Sequence, residues 1–459
     1  MQVAVIILAA GKGKRMHSEL PKVLHRILGR SMLSYVLDAA SELKTFRTVV
    51  VTGHGSSQVK EQLNGKGLRF AYQGEQLGTG HAVLCARKLL ANYQGDVLII
   101  NGDTPLICKE TINDFTTRHK DSKSVLSILS TVLDEPEGYG RISRSSRGDI
   151  KKVVEEKDAT AKEKQISEIN AGVYCVDSAF LWNALENLNP NNVQHEYYLP
   201  DIVDFAINSG ENVNAVMTRH SDEVLGVNTR AELAAVETKL RNRKNNRLMD
   251  GGVTIIDPSS TYITPDVRIG VDTVIYPNAH ILGDCSIGWG CEIGPSVWIE
   301  DSVIGHNVLI RFNCHIVKAS ISNYVSVGPF ANLRPETVVH SKAKIGSFVE
   351  IKKSNIGHGS KVPHLSYVGD ASVGEGVNIG AGTITCNYDG FSKHKTVIDD
   401  NAFIGSDTML VAPVRVGKGA TTGAGSTITK DVPEGSLAVE RSKQVEIKGW
   451  SRKPKKSKA

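Results

Sequence analysis

From residue 269 onward, aliphatic side chains recur at every sixth position. Ile269, Ile275, Ile281, Ile287, Ile293 and Ile299 open the series, and Ile304, Ile310 and Ile316 continue it after a one-residue slip. Ile321, Val327, Leu333, Val339, Ile345 and Ile351 follow, and Ile398, Ile404, Leu410, Val416, Thr422 and Ile428 close it. Six matches neither the period of an amphipathic helix nor the alternation of a hairpin strand. It predicts a parallel β-helix, in which each hexad forms one short face of a triangular coil and stacked coils bury a continuous aliphatic core. Glycine often follows the inward residue, as at Gly270, Gly288, Gly294, Gly346, Gly405 and Gly417. The phase is expected to break near 300, near 320 and across 352–373. The polar, glycine-bearing stretch 386–396 (CNYDGFSKHKT) marks a loop inserted on one prism face.

Residues 1–228 carry a different pattern. Nearly unbroken apolar runs at 3–10, 48–53, 68–73, 96–102 and 124–131 read as strands. Helical spacing of apolar residues lies between them, at SMLSYVLDAASEL and HAVLCARKLLANY. Such alternation predicts a Rossmann-like α/β domain, a parallel sheet covered on both faces. Residues 229–250 contain neither Pro nor Gly and are rich in Ala, Leu, Glu, Lys and Arg, so they predict a helix acting as a stiff connector. Gly251 and Gly252 end it, and the hexads occupy 251–459 as a third segment.

Bulk properties add few constraints. The chain has 459 residues and a net charge of +5, part of it in the basic stretch 452–458, which reads as a solvated end rather than a nucleic-acid site. The apolar start VAVIILAA is too short for a membrane span and runs into Gly and Lys, so neither a signal peptide nor a membrane partner is expected. Seven scattered cysteines do not form a disulfide framework, and Cys285 and Cys291, one hexad apart, would fall on adjacent prism faces. The chain reads as reduced and cytoplasmic. Prisms of this kind often trimerise and hold long acyl carriers in the grooves between neighbours, so the period by itself points to acyl transfer.

Candidate chemistry begins at LAAGKGKRM (8–16), directly after the first strand. Gly11 and Gly13 are present, but the third glycine of a dinucleotide fingerprint is absent and the G-x-x-x-x-G-K-[ST] loop is not matched. A Gly-rich turn at a strand end brings backbone N–H groups to a phosphate chain, and Lys12, Lys14 and Arg15 suit a triphosphate. Asp103 ends the strand DVLIING, where a ligand belongs in an open α/β sheet, and reads equally as a turn-forming Asp before Thr104–Pro105. By itself Asn228 reads as a helix N-cap, and His364, in VPHLSYVGD, as a polar surface group of the β-helix.

An ordered series joins these points: LPKVLH (20–25), GEQLGTGHA (74–82), NGDTPL (101–106), EGYGRI (137–142), VVEEKDA (153–159), EINAGVY (168–174) and LGVNTR (225–230). Together they closely resemble the sugar-nucleotidyltransferase domain. With the hexads behind them, essentially the whole chain resembles the bifunctional family that joins N-acetylglucosamine-1-phosphate uridyltransferase to glucosamine-1-phosphate N-acetyltransferase. The resemblance implies a left-handed hexapeptide β-helix and a cytoplasmic homotrimer assembled through it. Glucosamine-1-phosphate would be acetylated from acetyl-CoA, and N-acetylglucosamine-1-phosphate would then take a uridylyl group from UTP and release pyrophosphate. The intermediate would diffuse from one site to the other. A single-activity sugar-1-phosphate nucleotidyltransferase with a regulatory or assembly prism is the alternative, although it would not need His364, Asn387 and Tyr388 together. A non-enzymatic subunit would have lost the Lys-rich turn and Asp103.

The resemblance also implies residue roles. Asp103 and Asn228 would hold a divalent cation, Mg2+, with Asn228 also in the uridyltransferase substrate site. Leu8, Ala9, Ala10, Gly11, Arg15 and Lys22 would hold UTP. Gln73, Gly78 and Thr79 would read the uracil, since an amide offers both donor and acceptor. Gly140, Glu155 and Asn170 would hold the sugar, and only the family pattern favours Glu155 over Glu156. In the second half His364 would be the base that takes the ammonium proton. Arg334, Lys352, Tyr367 and Lys393 would bind the phosphate of glucosamine-1-phosphate, and Asn378 would fix its sugar. Ala381, Asn387, Tyr388, Ser406, Ala424 and Arg441 would bind acetyl-CoA, with Arg441 reaching a neighbouring subunit's cofactor. Asn101 stands where relatives often carry an aromatic residue, and Pro363 where they often carry a small one.

Overall fold

The computed structural model describes residues 2–65 and 67–450, so the basic stretch 452–458 lies outside the described residues. Contacts divide the chain into two compact units, with the boundary between Leu240 and Arg241.

The first unit is built on a nine-stranded sheet. Its main path runs Val213–Met217, Leu126–Val132, Glu168–Asp177, Asp96–Asn101, Val3–Ala9, Thr45–Thr52, Arg69–Tyr72. All five strands expected from the apolar runs are present. Within Val3–Ala9, Ala4 and Ile6 enter one core while Val5 and Ile7 enter the other, as a strand buried on both faces requires. The expected all-parallel sheet needs correction. Glu168–Asp177 runs antiparallel to both neighbours and also pairs with the hairpin Arg141–Arg144/Ile150–Val154. A chain returning from a hairpin can reverse directly and needs no crossover helix. Ser31 caps the helix Met32–Ala40, its Oγ accepting from the Ser34 N–H at 3.3 Å. The second expected helix is shorter, Thr79–Cys85, followed by a 3-10 turn at Arg87–Leu90.

The expected helix forms over Arg230–Asp250. On the first unit's side, Arg230 Nε donates to Met16 O at 3.2 Å and Val236 is buried. On the other side, the fully buried Asn245 donates from Nδ2 to Pro258 O and Thr261 O, each at 3.0 Å. Gly252, at φ 89°, ends the helix as expected.

The second unit is the anticipated prism. Three parallel sheets of eleven, ten and nine short strands form its faces, beginning at Thr254–Ile255, Tyr262–Ile263 and Arg268–Ile269, consistent with a left-handed β-helix. Hexad residues from Ile275 to Ile428 fill one core, joined by the buried Thr422. Cys285 and Cys291 precede strands of different faces and are free thiols. The expected break across 352–373 is a change of phase only: Ile356, Val362, Val368 and Val373 all point inward. Two five-residue steps shift the count there without turning the inward face outward. Residues 387–395 do leave the prism, between Ile384–Cys386 and Thr396–Ile398. Among the described residues no helix is long and apolar enough to cross a membrane.

Candidate functional sites

In the first unit the parallel strands Val3–Ala9 and Asp96–Asn101 are neighbours whose continuations open on one side, the usual ligand crevice of an open α/β sheet. A cavity of about 190 Å³ lies there, lined by Leu8, Thr79, Asp103, Gly140, Glu155, Asn170 and Asn228 among others. The Lys22 ammonium joins Asp103 to Asn228: it pairs with Asp103 Oδ2 and donates to Asn228 Oδ1 at 2.7 Å. Gly13 makes this possible. It sits at φ 59°, and a Cβ there would lie 2.6 Å from Lys22 Cβ. Asn228 is not the helix cap that it resembles in isolation. The Glu232 N–H donates to Thr229 Oγ1 at 3.2 Å and the Thr229 N–H to Glu232 Oε2 at 3.1 Å, a reciprocal capping box. The Asn228 amide oxygen is thereby left to face a cation.

Around the rim, Gln73 is buried and donates from Nε2 to Gly78 O at 3.0 Å, while Thr79 Oγ1 accepts from the Leu199 N–H at 2.9 Å. Ala9 ends the first strand, Ala10 and Gly11 follow it, and Arg15 is exposed just beyond. Ala10 O accepts from Gln76 Nε2, a contact that sequence reasoning missed although Gln76 lies within GEQLGTGHA. Asn170 is oriented by Tyr174 Oη at 2.5 Å and by the Gly172 N–H at 3.0 Å. The choice between the adjacent glutamates has a physical basis. Glu156 is paired with Arg141 at 2.7 Å, whereas Glu155 lines the cavity. Burial first, then the charges of Asp201, Asp158 and Glu196, pushes Glu155 up to about 7. Burial, with Asp204 and Asp158, pushes Asp201 up to about 6.

Two groupings form in the second unit. The first is a column along the edge between the first two faces. Register pairs Lys361 with Asn378, Asn378 with Phe403, and Phe403 with Thr421. Three residues beyond each lie His364, Ala381, Ser406 and Ala424, one above another. The Asp407 N–H donates to Ala381 O at 2.6 Å and the Gly425 N–H to Ser406 O at 2.8 Å, which closes the stack. Arg441 tops it, donating from Nη1 to Ala424 O at 2.6 Å. Gly346 sits beneath, and a Cβ there would lie 1.8 Å from Pro363 O, so only glycine lets the strand carrying His364 pass.

The second grouping is cationic and lies on the second face. Arg334 and Lys352 stack in register, since Asn332 pairs with Glu350 and Leu333 with Ile351. Arg334 is held by Glu350 at 2.8 Å. Lys352 pairs with Asp370 at 3.3 Å, and Asn387 Nδ2 donates to the same Asp370 oxygen at 2.5 Å and to Tyr367 Oη at 3.4 Å. Lys393 of the inserted loop meets Lys352. The neighbouring Lys352 ammonium lowers Lys393, while Lys352 itself is paired with Asp370. Gly369 is a further residue the sequence did not reveal: a Cβ there would lie 2.4 Å from Tyr367 Oη, so its absence lets the ring lie across the strand. Tyr388 is exposed on the loop. Asn378 stands apart, on the first face.

The family model of the MobA-like NTP transferase domain matches residues 5–165, and that of the bacterial transferase hexapeptide matches 266–301 and 395–430. The bifunctional protein GlmU of Heliobacterium modesticaldum is 51% identical over 438 residues, covering 95% of this chain and 95% of that protein. Its counterpart in Carboxydothermus hydrogenoformans is 50% identical over 96% of this chain and 98% of its own length. In Geotalea uraniireducens the figures are 48%, 99% and 99%. With both units and both site regions inside such alignments, the chain belongs to the bifunctional GlmU family.

Proposed function

We propose that this chain is a bifunctional enzyme of UDP-N-acetylglucosamine synthesis, acting in the cytoplasm as a homotrimer built through the β-helix. Its second unit acetylates glucosamine-1-phosphate from acetyl-CoA, and its first unit transfers uridylyl from UTP to N-acetylglucosamine-1-phosphate. The observation that carries the acetyl step is the column on one prism edge. Coils stack about 4.8 Å apart, so the four steps from His364 to Arg441 span about 19 Å. An acyl carrier lying along Ala381, Ser406 and Ala424 would end with its thioester at His364 and its phosphates at Arg441. Arg334, Lys352 and Lys393 converge beside it for the sugar phosphate. His364 takes the ammonium proton, so the amine attacks the thioester carbonyl as a neutral nucleophile, and the C–S bond breaks as the CoA thiolate leaves. Asn378, on the first face, would serve the groove between two copies.

In the first unit, the sugar phosphate attacks the α-phosphorus of UTP and pyrophosphate leaves. Catalysis there is positioning plus charge neutralisation. The Gly11–Gly13 turn, Arg15 and Lys22 hold the triphosphate, Gln73 and Thr79 the base, and Glu155 and Asn170 the sugar. Asp103 and Asn228 fit Mg2+, because two hard oxygens already converge on a cation, the Lys22 ammonium. When bound, the metal neutralises charge on the triphosphate. The two half-reactions, assayed separately on one preparation, test the reading. Asp103→Ala should abolish uridylyl transfer and leave acetylation within a few-fold, and His364→Ala should cut acetylation by roughly 10²–10⁴. Equal loss of both activities in either variant would sink the assignments.

A further inference from the structure

The corner between the second and third prism faces is made by residues in the left-handed region. Asp301, Lys318, Glu336 and Lys353 occupy it with φ of 46°, 48°, 65° and 46°, and all four are exposed. Asp370 occupies the same corner at φ 51°, yet its side chain is only 12% exposed. Its carboxylate is turned onto the second face, where one oxygen faces both Lys352 Nζ at 3.3 Å and Asn387 Nδ2 at 2.5 Å. Its backbone is tied in as well. Its N–H donates to Lys352 O at 3.0 Å, and its carbonyl accepts from the Thr396 N–H at 3.2 Å, where the inserted loop rejoins the prism.

A small polar residue at a left-handed corner needs no functional explanation, because Asp tolerates that conformation. The direction of this side chain does need one. Lys352 shares its neighbourhood with Arg334 and Lys393, three cations of which Arg334 is paired with Glu350 and Lys352 with Asp370. A single carboxylate among them offsets their repulsion and fixes one ammonium in place. The same oxygen orients Asn387, the first residue of the inserted loop.

We infer that Asp370 is a positioning residue for acetyl transfer, holding Lys352 for the sugar phosphate and Asn387 for the acetyl carrier from one carboxylate. The inference rests on the acetyltransferase reading above. Asp370→Asn keeps the left-handed tolerance, the size and an acceptor for Asn387, and removes only the charge. It should raise KM for glucosamine-1-phosphate about tenfold, the usual worth of a hydrogen bond to a charged group, and leave KM for acetyl-CoA within about twofold. Asp370→Ala should raise both. A merely structural role would not depend on Lys352, so the deciding measurement is the double variant. In a Lys352→Ala background, Asp370→Asn should change KM for glucosamine-1-phosphate by less than about twofold. Uridylyl transfer, measured on each preparation, reports the integrity of the first unit. The inference is overturned if Asp370→Asn leaves both KM values at the wild-type level, or if its effect persists undiminished without Lys352. An unmodified chain that fails to acetylate glucosamine-1-phosphate at all would instead overturn the reading beneath it.

Discussion

Glu155 couples stability to pH in a way that its neighbours make calculable. Its carboxyl is held at about 7 against an ordinary 4.5, with burial as the main cause and Asp201, Asp158 and Glu196 adding repulsion. The folded protein therefore resists ionising this group, and the sign follows from that. Below the ordinary value the residue is neutral in both states and costs nothing. As pH rises the unfolded chain releases the proton first, so stability falls until the folded pKa is passed. A shift of about 2.5 units at 1.36 kcal/mol each gives a cost of about 3.4 kcal/mol at pH 8, against about 0.8 kcal/mol at pH 5. The side chain lines an open cavity and is half-buried by exposure, so water reduces the difference between the two pH values to about 2 kcal/mol. Glu155→Gln removes the titration. The expected result is a variant whose gain in stability over wild type is larger at pH 8 than at pH 5 by that amount, and which is impaired in uridylyl transfer through loss of the proposed sugar contact. Urea unfolding of the full chain at both pH values measures it, and the transition of the β-helix, which contains no part of this cluster, should stay in place. A stabilisation of equal size at pH 5 and pH 8 would refute the reasoning, because it would locate the effect in packing rather than in charge.

Two further outcomes follow from the acetyl-transfer edge. Arg441→Ala should raise KM for acetyl-CoA by roughly tenfold with little change in that for glucosamine-1-phosphate, since it loses one charge-assisted contact at the far end of the carrier; equal effects on both substrates would count against the column. Gly346→Ala should displace Pro363 and His364, because its Cβ would lie 1.8 Å from Pro363 O, so acetyl transfer should fall at least tenfold while uridylyl transfer persists; wild-type acetylation would show that the strand shifts freely.

Sequence pattern revealed the elements and left the conversations between side chains hidden. The hexads were legible because one inward position per face is enforced by a continuous core, and the strands of the first unit because they are buried on both sides. The site residues were legible only through family resemblance: nothing in NGD or GVN by itself brings Asp103 to Asn228. The capping role that Asn228 resembles falls to Thr229, one residue on, and only the pairing with Glu232 decides which of the two is the cap. Glu155 and Glu156 are likewise equivalent in sequence, and the partner of Glu156, Arg141, is brought to it by the hairpin. Asp370 and Gly369 carried no signal because each acts through a neighbour two or more residues away on a folded strand.

The phase changes within 352–373 belong to a division of labour in the prism. From Ile275 onward, successive inward residues crossing from the first face to the second are always six apart, as in Ile275 to Ile281, Val362 to Val368 and Thr422 to Ile428. Crossings from the third face back to the first are six as well, as in Ile287 to Ile293 and Ile398 to Ile404. Every departure falls on the remaining edge. Ile299 to Ile304, Ile316 to Ile321, Ile351 to Ile356 and Val368 to Val373 are steps of five, and Thr385 to Ile398 is thirteen because the loop is inserted there. A corner of variable length can shed or gain residues without moving the inward positions, so a loop can be added there without disturbing the core. The column from His364 to Arg441 runs along an edge of constant step. Equal spacing from coil to coil is what an extended carrier requires of the surface it lies on. The irregular edge supplies Asp370 and the inserted loop with Asn387, Tyr388 and Lys393, and the regular edge supplies the track; the proposed acetyl site draws on both.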